Sequence, residues 1–248
     1  MEYDFFNFKP EPMLTINCSV VKDFAEFSGE ELWEISDKMR MHRSLNAVDV
    51  KSHESLERFY SDSKTYIYDI LTANSNLQGL ANKINKFIPN GLKNIHQHPG
   101  KTFADFGAGT GVFCDIITKL RPDVEVHYID IESYITEFAR WRIKKYELPI
   151  TMHIIPQENF EFKQTYDMLF TDAVWEHLPP DKQISYGTKL ANALNVGGLL
   201  YMIVDLSGHT DDMPMHYNCD IQAVHNNLRQ SGLTCLYGNY NFASVWTK

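Results

Sequence analysis

A short apolar run that passes through clustered glycines straight into a helical pattern leaves a chain few folds, and residues 102–120 form such a run. The strand-like segment 102–106 leads into Gly107-Ala108-Gly109-Thr110-Gly111, and a helical pattern occupies 112–120. Glycine tolerates positive φ and lets a ligand approach the backbone, while a helix start presents unpaired N–H groups. The alternation continues downstream. Short apolar runs recur at 124–129, 152–155, 168–171 and 199–204, with longer helical patterns at 134–146 and 181–194. Strands alternating with helices are expected to form a parallel sheet covered on both faces. Two further strands, 233–237 and 242–246, flank Gly238-Asn239-Tyr240-Asn241 as a hairpin-like pair, so the last strand is expected to run antiparallel at this edge.

Ahead of residue 100 the periodicity is helical. Ser28 and Glu31 have the spacing of a capping box before a helix carrying Leu32, Ile35, Met39 and Leu45. A second helix is expected from Ser52 through Leu56, Phe59, Tyr60, Ile67 and Ile70. A third carries Leu77, Leu80, Ile84, Phe87 and Ile88, and Pro89-Asn90-Gly91 ends it. The 248 residues thus divide into a helical region, 1–100, and an α/β domain, 101–248. Trp33 and Phe59 read as core residues, and His96 and His98 as solvated linker residues without a role.

The chain is 44% hydrophobic and carries a net charge of −9, which suits a globular protein and disfavours a dedicated nucleic-acid binder. No apolar run reaches the roughly 20 residues of a membrane span. The first twelve residues lack the basic start and apolar stretch of a signal peptide. Cys18, Cys114, Cys219 and Cys235 are scattered, as expected of a cytoplasmic protein without disulfides or a zinc motif.

The spacing at the turn selects the ligand. A dinucleotide fingerprint, G-x-G-x-x-G, requires glycine at position 112, where Val112 stands. Asp105, two residues before Gly107, suits a ligand bearing an ammonium group better than a pyrophosphate, because like charges repel. Asp130 closes the second strand, where a carboxylate accepts from both ribose hydroxyls. An adenosine ligand follows.

These residues resemble the class I S-adenosylmethionine-dependent methyltransferases. The family's first motif matches Asp105–Gly111, and its acidic residue after the second strand matches Asp130. The segments 166–178 and 194–201 resemble its fourth- and fifth-strand regions. The resemblance covers residues 101–248 and implies a Rossmann-like, doubly wound, mostly parallel seven-stranded sheet with an antiparallel edge strand. It also implies S-adenosylmethionine as cofactor, held by Asp105, Gly107, Ala108, Gly109, Gly111, Asp130, Ile131 and Asp172. Many relatives place an Asp after the third strand against the adenine amino group. Here Ile155-Pro156-Gln157-Glu158 stands there, so Gln157 or Glu158 takes that place.

The cofactor's methyl group is already activated, so the protein mainly aligns a nucleophile with it at roughly 3–3.5 Å. A base is needed only for a poor nucleophile. Two histidines on loops at the carboxyl edge are candidates, His177 and His209, although Glu176-His177 also reads as a pair that orients its loop. His209 is additionally a substrate candidate, with Tyr60 and Tyr66 from an N-terminal region expected to close over the site. His177, His209, His216 and Asp205 lack a regular ligand spacing, so no metal is assigned. The expected reaction is methyl transfer to a small molecule or peptide. The alternatives are another reaction that consumes the cofactor and releases methylthioadenosine, and a non-catalytic cofactor-binding module. The sequence does not specify an oligomeric state.

Overall fold

The computed structural model describes residues 20–42, 53–74, 84–156, 160–206, 208, 210, 216–239 and 243–248. Seven strands form one sheet in the order β3-β2-β1-β4-β5-β7-β6. They are β1 (Thr102–Phe106), β2 (Glu125–Ile131), β3 (Ile150–Ile155), β4 (Tyr166–Asp172), β5 (Leu194–Ile203), β6 (Thr234–Asn239) and β7 (Ala243–Thr247). β1 pairs in parallel with β2 and β4, and the parallel ladders extend to β3 and β5. The antiparallel strand is β7, which inserts between β5 and β6. The covered α/β sheet expected from the alternation, and the Rossmann-like, doubly wound form implied by the resemblance, are therefore present.

Successive residues along the inner strands serve opposite faces. Phe103, Met168, Phe170, Leu199 and Tyr201 join one buried cluster, and Ala104, Phe106, Leu169, Leu200 and Met202 join the other. Burial on both sides explains why these strands read as continuous apolar runs. The first face is covered by α6 (Val112–Leu120) and α7 (Tyr134–Lys145), the second by α8 (Pro180–Ala193) and α9 (Ile221–Gln230). β1 and β4 are neighbours whose chain connections depart to opposite sides, and the carboxyl ends of such strands are where open α/β sheets bind ligands.

The N-terminal helices are α1 (Val20–Ser28), α2 (Leu32–Arg40), α3 (His53–Asp62), α4 (Ile67–Ala73) and α5 (Gly91–Gln97). Val20, Phe24, Ile35, Ile67, Leu71 and Ile95 enter the same apolar cluster as α6 and α7, so the helical region and the sheet share one core. Four local expectations are corrected. Ser28 ends α1 instead of capping α2; the capping box lies at Glu31, whose N–H donates to Glu34 Oε2 at 3.1 Å. The helix expected from Ser52 through Ile70 breaks at Ser63, held at φ 51. Trp33 is 64% exposed, because α2 turns Ile35 inward and leaves Trp33 on its outer side. His98 is buried, with Nδ1 accepting from Gly100 N at 3.0 Å, and desolvation lowers its pKa. Leu45, Leu77 and Leu80 lie outside the described residues. Among the described residues no helix is long and apolar enough to cross a membrane.

Candidate active site

β1 delivers the chain to Phe106 at the carboxyl edge, and the backbone then turns under tight constraint. Gly107 sits at φ 76, and a Cβ there would lie 2.2 Å from Val174 Cγ2, so any side chain collides with the loop after β4. Its N–H donates to Ile129 O at 2.8 Å. Gly109 is at φ 52 with open space where a Cβ would be, and its N–H donates to Asp130 Oδ2 at 2.7 Å. Tyr128 Oη closes the arrangement by donating to Gly109 O at 2.8 Å. The other Asp130 oxygen accepts from Ile131 N at 2.7 Å, yet burial still pushes the carboxyl up to about 6. Ser133 caps α7 through Thr136 N, which fixes the chain just past Asp130. Asp105 is buried beneath this loop. Desolvation, reinforced by Asp172 and Asp130, raises its carboxyl well above the usual range.

Two lobes of a cleft meet at this edge, with Tyr66, Gly107, Gly109, Ala173 and His177 lining both. The smaller lobe, about 190 Å³, includes Asp130, Ile131, Ile155, Pro156 and Leu178 in its wall. It is mostly apolar with the carboxyl of Asp130 in its wall, as suits a nucleoside. The larger, about 400 Å³, is lined by the acidic residues Asp69, Asp105, Asp172, Glu176 and Asp205, and among the described residues no Lys or Arg lines it. Such a wall favours cationic occupants.

The wall facing the glycine loop is made of side chains from distant segments. The break at Ser63 folds α3 back toward α4 and brings the Tyr60 and Tyr66 rings to 5.4 Å between centroids. His177, on the 3₁₀ turn Trp175–His177, lies between them: Nδ1 is 2.5 Å from Tyr60 Oη and Nε2 is 3.0 Å from Tyr66 Oη. A neutral imidazole has one donor and one acceptor nitrogen, so one hydroxyl accepts and the other donates. Desolvation raises both tyrosines well above their usual range, keeping them protonated near neutral pH.

Glu176 is 0% exposed. One carboxyl oxygen accepts from Asp205 N at 3.3 Å and the other has no hydrogen-bond partner among the described residues. Burial, with Asp172 and Asp205 nearby, pushes this carboxyl up to about 8. His216 is held beside it because Tyr217 N donates to Glu176 O at 2.6 Å. Gln183 Nε2 also clamps Trp175 O, Leu178 O and Asn218 O together. The His177 and His216 rings are 4.9 Å apart, and single ligand atoms of Glu176, His177 and His216 all lie within 4.8 Å of one another.

Of the residues expected at the site, Asp105, Gly107, Ala108, Gly109, Asp130, Ile131 and Asp172 line the cleft. Gly111 sits beneath it as the N-cap of α6. Tyr60, Tyr66 and His177 converge on one another. Gln157, Glu158 and His209 lie outside the described residues. The pairing of Glu176 with His216 had no local signal, since it depends on how the loop after β5 returns to the loop after β4.

Residues 104–200 match the family model of a methyltransferase domain. No curated protein matches the sequence. Similar solved structures include an O-methyltransferase family protein from Burkholderia thailandensis. It is 11% identical, with a TM-score of 0.57, over 85% of this chain and 71% of that one. An S-adenosylmethionine-dependent methyltransferase from Clostridium acetobutylicum is 12% identical, with a TM-score of 0.56, over 73% of this chain and 96% of that one. Human N-acetylserotonin methyltransferase, solved with S-adenosylmethionine, is 12% identical, with a TM-score of 0.55, over 92% of this chain and 69% of that one. Residues 104–200 are thus similar to a methyltransferase domain, and the chain shares its fold with S-adenosylmethionine-dependent methyltransferases of known structure.

Proposed function

We propose that this protein is an S-adenosylmethionine-dependent methyltransferase whose acceptor is a hydroxyl-bearing small molecule or peptide. The observation that carries the reading is the Asp130 carboxyl, fixed by Gly109 N and Ile131 N in the wall of an apolar lobe. The donor set fits the cofactor. Asp130 offers acceptors to a ribose, Asp105 and Asp172 offer negative charge to an ammonium group and a sulfonium, and Ile155 and Pro156 offer an apolar face to a base. When bound, the cofactor supplies an electrophilic methyl group on its sulfonium.

The chain's own task is then to place an acceptor oxygen and manage its proton. Tyr60, Tyr66 and His177 form a wall of proton-carrying groups on the opposite side, and His177 is the candidate to take that proton. The region 1–100 supplies both tyrosines and serves as the substrate-binding lid, while 101–248 serves as the cofactor domain. His209 remains a further candidate on the acceptor side, and Gln157 or Glu158 for the adenine amino group. Cys114, Cys219 and Cys235 are free, which supports a cytoplasmic setting. Calorimetry with S-adenosylmethionine and S-adenosylhomocysteine tests the reading, and failure of both to bind would remove it. Incubation with the cofactor alone separates the chemistries: release of methylthioadenosine without an acceptor would replace methyl transfer by intramolecular displacement.

A further inference from the structure

Glu176 is out of place for an ordinary structural residue. It is fully buried, one oxygen has no partner among the described residues, and Asp172 and Asp205 lie nearby. A buried carboxyl oxygen left unsatisfied is costly, and native structures rarely leave one without a reason. The partners that would relieve it are already gathered. Ligand atoms of His177 and His216 lie within 4.8 Å of it and of each other, contributed by two loops that Tyr217 N and Gln183 tie together.

We propose that Glu176, His177 and His216 bind a divalent first-row transition ion in the larger lobe of the cleft. Two imidazoles and one carboxylate are a borderline-soft nitrogen–oxygen set, suited to Mn²⁺, Fe²⁺, Co²⁺ or Zn²⁺ better than to the all-oxygen preference of Ca²⁺ or Mg²⁺. The supporting contacts are also present. Whichever ring nitrogen of His177 turns to the ion, the other remains on a tyrosine hydroxyl, which fixes tautomer and orientation as metal-ligating histidines require. Asp205 N holds Glu176 from behind. Asp69, Asp172 and Asp205 line the same lobe, where among the described residues no Lys or Arg opposes a dication.

Three protein ligands leave positions open toward the lobe. An acceptor oxygen bound there is oriented and made more acidic by the ion, and His177 then acts as a ligand instead of a base. That role rests on the methyl-transfer reading above, whereas occupancy by the ion does not.

The test is titration of the full chain, after chelation and dialysis, with Co²⁺ as probe. Visible d–d bands and calorimetric uptake near one equivalent are expected. Both should be lost, with affinity down on the order of 100-fold or more, in His216→Ala and in Glu176→Gln. Circular dichroism checks that each variant folds, and of Tyr60→Phe and Tyr66→Phe, which both keep all three ligands, the one that removes the hydroxyl remaining on His177 should weaken uptake about 10-fold. Absence of Co²⁺ uptake by the wild-type chain overturns the proposal. So does uptake that survives both ligand substitutions, because the ion then sits elsewhere. Binding of S-adenosylmethionine, measured separately without metal, reports on the methyltransferase reading alone.

Discussion

The two walls of the cleft are built by different means. The wall assigned to the cofactor comes from two nearby stretches, 105–111 and 128–131, and is main chain apart from the Asp130 carboxyl and the Tyr128 hydroxyl. Its shape is held by backbone N–H groups on Ile129 O and Asp130, with no side chain tolerated at Gly107. The opposite wall is side chain throughout: Tyr60, Tyr66, His177 and His216 arrive from four separate segments and meet through hydroxyl–imidazole and ring contacts. A wall of backbone recognises what every ligand of the fold shares. A wall of side chains can be exchanged without disturbing the first, so in the proposed reaction specificity for the acceptor falls to it.

Arg142 joins the two regions, and removing it should have the largest effect. It is buried on α7, donating to Asp23 of α1, to Asp115 of α6 and to Thr110 O in the glycine loop. Although burial opposes it, contacts with Tyr146, Lys145 and Arg142 hold the Asp23 carboxyl below its usual range. Arg142→Met leaves two buried carboxylates short of their partner and should cost about 3–5 kcal/mol in urea unfolding. A loss under about 1 kcal/mol would mean that the N-terminal helices dock independently of this ion pair.

Asp130→Ala should act on the cofactor wall alone. Hydrogen bonds to a charged acceptor contribute about 1.5–3 kcal/mol each, so S-adenosylmethionine affinity should fall on the order of 100-fold by calorimetry. Unchanged affinity would overturn the assignment of the ribose site.

The same contrast explains what could be read from the chain. The cofactor wall is local: strand, glycines, helix and a following acid lie in one stretch, and the requirement for φ above zero is written as glycine. The sheet was legible because burial on both faces makes its strands apolar throughout. The acceptor wall is nonlocal. Tyr60 and Tyr66 lie six apart, a spacing that one straight helix does not bring to one face, and only the break at Ser63 makes their rings meet. Glu176 meets His216 through the return of the loop after β5, which no periodicity encodes. His98 read as a linker residue because its burial comes from packing near Gly197, far along the chain.

A smaller effect is expected from pH. Burial raises Asp130 to about 6 in the free protein, and only the carboxylate accepts both ribose hydroxyls. Affinity for S-adenosylmethionine should therefore be flat above neutrality and fall as pH drops through about 6, reaching about tenfold weaker at pH 5. The stability of the free protein runs the other way, because a raised carboxyl favours the folded state while protonated. That contribution is present below the unfolded value near 3.8 and is lost as pH rises through about 6. Affinity that rises on acidification would show that Asp130 does not accept from the ribose.

Tyr66→Phe is the finest cut, because Tyr66 lines both lobes. The substitution keeps the ring that packs on Phe59 and Tyr60 and removes only the hydroxyl 3.0 Å from His177 Nε2. A neutral hydrogen bond contributes about 0.5–1.5 kcal/mol, so kcat/KM for the acceptor should fall about 2- to 10-fold. The dissociation constant of S-adenosylmethionine should not change, since the residue reaches His177 and not the glycine loop through its hydroxyl. Equal losses in both quantities would move Tyr66 to the cofactor side and leave Tyr60 as the hydroxyl that orients His177 for the acceptor.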